Sequence, residues 1–216
     1  MMKDTMSPKK RLLTECLLIF GLVPPVLAAL KPHGLMYVML WIAAALSWRW
    51  LARHDYKFRE DWNRIKFGKN ELRAILIRFV PIAIALGIFT YIAIPDRLFS
   101  LPLERPRVWV MVMILYPLLS VIPQEILFRS FFFRRYAPLF SGRAIMLASA
   151  LAFGWVHILL LNWVAVVFSA LGGLLFADTY ARTRSLAAAC FEHALYGCTI
   201  FTLGLGYYFY HGQAVH

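Results

Sequence analysis

Glu125 and Arg129 stand four residues apart in an otherwise apolar stretch, Pro123-Gln124-Glu125-Ile126-Leu127-Phe128-Arg129. On a helix that spacing puts both side chains on one face, close enough to pair. His157 closes a second such stretch, Phe153-Gly154-Trp155-Val156-His157, and His193 lies in a third, Glu192-His193-Ala194-Leu195-Tyr196-Gly197. An acid, an arginine and two histidines on three apolar segments support proton transfer to and from water. A carboxylate in a low-dielectric pocket can serve as general base. A neutral imidazole can hold the water or donate to a developing oxyanion, and the guanidinium can orient the carboxylate. The same side chains leave a rival open, because two histidines and a glutamate can hold a catalytic zinc. The helical H-E-x-x-H signature is absent, however, and no serine lies in a nucleophile motif. The three cysteines, Cys16, Cys190 and Cys198, form neither a disulfide framework nor a metal pattern. No cofactor and no metal is expected.

The elements that must carry these residues are membrane helices. Of 216 residues, 61% are hydrophobic and only 16% charged, and mean hydropathy is +0.65. A soluble domain is nearer half apolar and a quarter charged, so the excess must face lipid. Seven apolar spans are expected, at residues 11–30, 34–52, 74–95, 108–133, 144–161, 164–181 and 185–209. The first is read as an uncleaved helix rather than a signal peptide, because its apolar run is long and carries Pro24-Pro25. Counted from the basic ends, Glu125 and His193 lie roughly 10–15 Å deep and His157 roughly 20 Å deep. One polar site open toward the cytoplasm is therefore geometrically plausible.

The net charge of +12 does not read as nucleic-acid binding, because the basic residues lie between apolar spans. They cluster at Lys3, Lys9, Lys10 and Arg11, along 53–73, at Arg134, Arg135 and Arg143, and at Arg182 and Arg184. The positive-inside rule then places the N-terminus in the cytoplasm, and an odd number of spans puts the tail with His211 and His216 outside. The 53–73 stretch interleaves its charges with Tyr56, Phe58, Trp62 and Phe67 and reads as an interfacial segment on anionic lipid. Three further ionisable residues have structural explanations. Glu15 can pair with Arg11, Arg78 can snorkel from one turn inside its span, and Asp178 can pair with Arg182.

The ordered motifs resemble the CAAX-protease and bacteriocin-processing family of intramembrane proteases, also called Abi proteins. That family's pattern is Glu-Glu-x-x-x-Arg, then Phe-x-x-x-His, then His-x-x-x-Asn or Asp. The first is matched by Gln124 to Arg129, the second by Phe153 to His157, and the third begins at His193. Phe128-Arg129-Ser130-Phe131-Phe132-Phe133 and Thr183-Arg184-Ser185-Leu186 extend the similarity, which covers roughly residues 108–200. Two positions depart from the pattern. Gln124 stands where the family has its first, water-activating glutamate, and an amide cannot be a general base. Gly197 stands where it has its final Asn or Asp. Glu125 can take over as base, since Pro123 can re-aim the helix; Glu192 can supply the charge; and Tyr196 can replace the missing donor.

The expectation is an all-α bundle of about seven transmembrane helices. Residues 1–107 would hold the N-terminal helices and a basic cytoplasmic segment, and 108–216 a catalytic bundle. By the resemblance, the chain is a glutamate-dependent intramembrane endopeptidase in a plasma membrane, such as a bacterial inner membrane. Its partners are the lipid bilayer and a peptide or protein substrate. In this reading Glu125 is the base, His157 positions water, His193 stabilises the oxyanion, Arg129 orients Glu125 and Gln124 binds water or backbone. The alternatives are a non-catalytic scaffold or regulator, suggested by Gln124 and Gly197, and a zinc-dependent membrane protease. A transporter is a weaker reading, since no paired broken helices suggest a repeat.

Overall fold

The computed structural model describes residues 7–30, 34–62 and 68–209. Lys3, Arg64, Lys66, Phe67, His211 and His216, on which parts of the expected basic head, interfacial stretch and external tail rest, lie outside the described residues. Among the described residues the chain is helical with no strand.

Every expected span is a helix: α1 (Pro8–Leu30), α2 (Met36–Ala52), α4 (Lys69–Ala93), α6 (Pro106–Arg135), α7 (Arg143–Leu160), α8 (Trp163–Thr183) and α9 (Leu186–Thr202). Two short helices, α3 (Phe58–Trp62) and α5 (Ser100–Glu104), join them. Five of the helices, α1, α4, α6, α7 and α8, are long and apolar enough to cross a membrane. Helices α2 and α9 have 17 residues each, about 25 Å of rise.

The sequence sets several helix starts directly. Asn162 and Ser185 accept hydrogen bonds from the amides of Ala165 and Ala188, capping α8 and α9. Pro8 follows the cap residue Ser7, at the first helical position, where its missing N–H costs nothing.

Prolines inside α1 and α6 leave backbone carbonyls without the regular N–H four residues on. Pro25 has no N–H for the Gly21 carbonyl four residues back, and the Trp155 indole of α7 donates to that carbonyl at 2.9 Å. Pro123 likewise cannot serve Leu119, whose carbonyl accepts from the Trp41 indole of α2 at 3.0 Å. In a bilayer core no water is present to do this, so neighbouring helices must. Wide, π-type turns accompany these breaks, at Leu17–Leu22, Pro117–Val121 and Ile126–Phe131.

The bundle has an aromatic-rich apolar core that also encloses its ionisable groups, and its outside is apolar as well. Leu103, Ile92 and Leu30 are 76%, 74% and 71% exposed, while Glu125, Arg129 and Glu192 are at 0%. An apolar exterior of this kind needs lipid as its solvent, so the chain is a multi-pass membrane protein. Small residues allow α7 and α8 to approach closely. A Cβ on Gly154 would meet the backbone of Ala170, and one on Gly173 would meet Phe153 and the Ala150 backbone.

The side helices are tied to this core by charged contacts that differ from the local pairings expected. Glu15 reaches across to another helix. It accepts from Nε and Nη2 of Arg135 and from the Tyr136 hydroxyl, joining α1 to the end of α6. Arg78 does not snorkel outward. Its guanidinium turns inward to Glu192, Asp178 and Thr179. Asp178 does pair with Arg182, at 2.8 Å, and shares the same oxygen with Arg78.

The segment before residue 63 also folds inward. Asp61 of α3 is buried and accepts from Tyr56, Ser130 and Tyr180 at 2.8, 2.5 and 2.5 Å. Burial beside that carboxylate pushes the Tyr56 phenol well above its ordinary range.

Candidate active site

Helix α6 supplies Glu125 between its two wide turns, in the short regular stretch Ile122–Glu125. Helix α9 supplies His193, and the two meet directly: His193 Nδ1 lies 2.8 Å from Glu125 Oε1. In the neutral ring that nitrogen carries the proton, because a carboxylate can only accept, and Nε2 is left as an acceptor. The Tyr116 hydroxyl occupies it at 3.1 Å. The ring is held flat against Phe176, with centroids 4.5 Å apart and planes at 15°, and edge-on to Phe153.

Arg129 completes the charged group. Its Nε lies 3.1 Å from Glu125 Oε2, with both side chains fully buried. The approach is a charge pair without an aligned hydrogen bond: neither Nε nor Oε2 has a hydrogen-bond partner among the described residues. The other nitrogens are fixed, Nη1 on Ser149 Oγ at 2.9 Å and Nη2 on the Gly173 carbonyl at 3.4 Å. Ser149 in turn donates to the Phe128 carbonyl. The guanidinium also lies over the Phe153 and Phe176 rings. Glu125 is therefore held at Oε1 by His193 and attracted at Oε2 by Arg129, and Oε2 keeps lone pairs for a proton donor.

Gln124 donates through Nε2 to Ser120 Oγ at 2.7 Å, and its buried Oε1 has no partner among the described residues. His157 is not in direct contact with this group. Its Nδ1 donates to the Phe153 carbonyl at 2.7 Å, which leaves Nε2 as an acceptor. The Phe153 ring separates the two histidines, with its centroid 4.8 Å from His157 and 5.3 Å from His193. Thus Glu125, Arg129 and His193 come together, Gln124 sits beside them in sequence, and His157 stands on the far side of Phe153.

Glu192 does not face this group. Both of its oxygens are engaged by Arg78, and Oε2 also accepts from Thr179 at 2.6 Å. Tyr196 is not the neighbouring donor either. Its hydroxyl is buried without a partner among the described residues, and its ring packs on Phe79 and Phe176. The donor beside His193 is Tyr116, which no sequence pattern singled out. At 100° per residue, nine residues of regular helix place Tyr116 roughly half a turn away from Glu125. The wide turn at Pro117–Val121 changes that phase. The only cue in the sequence was Pro117 directly after a tyrosine in an apolar run. Among the described residues no three His, Cys, Asp or Glu side chains form a group able to hold a metal ion.

Residues 106–211 match the family model described as type II CAAX prenyl endopeptidase, Rce1-like. The match begins at the first residue of α6 and takes in α7, α8 and α9. No curated protein and no solved structure matches the chain.

Proposed function

We propose that this chain, whose residues 106–211 match the Rce1-like type II CAAX prenyl endopeptidase family model, hydrolyses a membrane-bound peptide or protein with Glu125 as general base. The observation that carries the reading is the state of the Glu125 carboxylate. Oε1 is anchored on His193 Nδ1 at 2.8 Å, while Oε2 is buried, faces Arg129 and has no hydrogen-bond donor among the described residues. In the reaction, water gives a proton to Oε2 as its oxygen attacks the scissile carbonyl carbon. The same proton then passes to the leaving amine as the C–N bond breaks.

The other expected residues take supporting roles. Arg129, fixed by Ser149 and Gly173, orients Glu125. Gln124 holds water or backbone through its unpartnered Oε1. His157 positions the water through Nε2. Oxyanion stabilisation by His193 calls for a proton on Nε2 as well as Nδ1, because in the neutral ring Nε2 only accepts, from Tyr116. The substrate class named by the family, a prenylated C-terminal peptide, is the first to test. The basic clusters support an N-terminus in the cytoplasm and a plasma-membrane location, such as a bacterial inner membrane.

The test compares protein termini in membrane and secreted fractions from wild-type cells, a deletion strain, and the deletion complemented with Glu125→Gln or His157→Ala, with expression verified. A defined terminus lost in the deletion and in both variants identifies a protease and its substrate. Wild-type termini in both variants would assign the chain a non-catalytic role, the reading that Gln124 and Gly197 favour.

A further inference from the structure

Gly197 follows His193 by one helical turn on α9, so a side chain there would stand beside the imidazole. That space is filled from another helix. A Cβ on Gly197 would fall inside the ring and hydroxyl of Tyr116, far within van der Waals contact. The same hydroxyl lies 3.1 Å from His193 Nε2. Tyr116 is packed in place by Phe201, with ring centroids 5.3 Å apart, and by the edge of His193 itself. Gly197 and Tyr116 are therefore one unit: the missing side chain makes room for the phenol, and the phenol supplies the only polar group that reaches Nε2 among the described hydrogen bonds.

We propose that Tyr116 is a positioning residue for the reaction, doing from α6 what a polar side chain at position 197 would do from α9. The donor inventory defines its role. With the Tyr116 O–H given to Nε2, the ring proton is confined to Nδ1 and directed at Glu125 Oε1. Glu125 is then turned so that Oε2 is the oxygen left to take a proton. Without the phenol donor, Glu125 still draws the ring proton to Nδ1, but Nε2 is left as a buried acceptor with no partner and the ring is held at one nitrogen only. The ring then shifts about that single contact, and the base is released from its orientation. The effect passes through His193 and Glu125, so it falls on the chemical step more than on substrate binding. The inference rests on the proteolytic reading for its kinetic consequence, but not for the histidine geometry.

The experiment uses the full chain in detergent micelles with two readouts. The first is the nitrogen-15 spectrum of the histidine side chains, with His193 assigned by comparison with His193→Gln. The second is turnover of an internally quenched, farnesylated CAAX peptide. Wild type should show His193 protonated on Nδ1. Tyr116→Phe, which keeps the ring and its packing, should shift the His193 Nε2 resonance as that nitrogen loses its donor, and lower kcat by about tenfold with little change in KM. Gly197→Asn should perturb folding, because the phenol occupies its space. Combined with Tyr116→Ala it should fold, return the Nε2 resonance toward its wild-type position and recover much of kcat. A Tyr116→Phe protein with the wild-type Nε2 resonance overturns the proposal, as does one with the wild-type kcat. If wild type does not cleave the peptide, the substrate reading fails and the Nε2 comparison alone decides the role of Tyr116.

Discussion

Arg78 and Glu192, 114 residues apart, form a two-pronged ion pair, Nε on Oε1 at 2.7 Å and Nη2 on Oε2 at 2.9 Å. The pair joins α4, outside the family-matching segment, to α9, directly beside His193. Glu192 is at 0% exposure and Arg78 keeps about a fifth of its side chain accessible, at 21%. Removing the cation strands a buried carboxylate, which costs more than the pair itself contributes. Arg78→Ala should lower stability by about 3–5 kcal/mol, and adding Glu192→Gln should recover part of the loss. Thermal unfolding in detergent reads both; an Arg78→Ala protein that melts with wild type would remove this pair from the account of the fold.

Glu15 and Arg135 make a similar two-pronged contact but keep 31% and 30% of their side chains exposed. Solvent and headgroups screen such a pair, so its coupling should be about 1 kcal/mol or less. A double-mutant cycle with Glu15→Gln and Arg135→Met, read by the same unfolding assay, measures it. Coupling as large as that of Arg78 and Glu192 would contradict the ranking by burial.

The Trp155 indole serves the Gly21 carbonyl that Pro25 cannot. Trp155→Phe should therefore cost about 1–3 kcal/mol. Pro25→Ala in the same background should restore part of it, because the new backbone N–H can reach Gly21 along the helix. If Pro25→Ala rescues nothing, the indole contributes through packing rather than through its hydrogen bond.

Ser149 links Arg129 to the Phe128 carbonyl at the floor of the site. Ser149→Ala leaves a buried guanidinium nitrogen without its partner and frees Arg129 to shift from Glu125. Turnover of a cleavable reporter should fall by about tenfold, with a stability loss of about 1–3 kcal/mol. Loss of stability at unchanged turnover per folded molecule would show that Arg129 holds Glu125 without Ser149.

The sequence by itself determined the helices and the charged set. Apolar runs interrupted by basic loops leave few other solutions in a bilayer, because every backbone group must be satisfied within a helix. Most ends of the seven expected spans agree with the observed helices to within a few residues; the helix of the third span starts five residues earlier than expected, at Lys69, and that of the last stops at Thr202 rather than 209, with a separate short turn at Leu205–Phe209. The i,i+4 spacing of Glu125 and Arg129 was legible because both lie on one helix, and they do pair.

Tertiary structure alone decided which distant residues meet. Arg78 with Glu192, Glu15 with Arg135, and Tyr116 with His193 join separate helices, and their partners follow from helix rotation and packing rather than from local spacing. Rotation in α1 and α6 is set by wide turns near prolines, which add residues to a turn and displace every later side chain around the axis. A regular 3.6-residue repeat puts Tyr116 and Glu125 on opposite faces. The wide turn and the room left by Gly197 bring both to His193 instead.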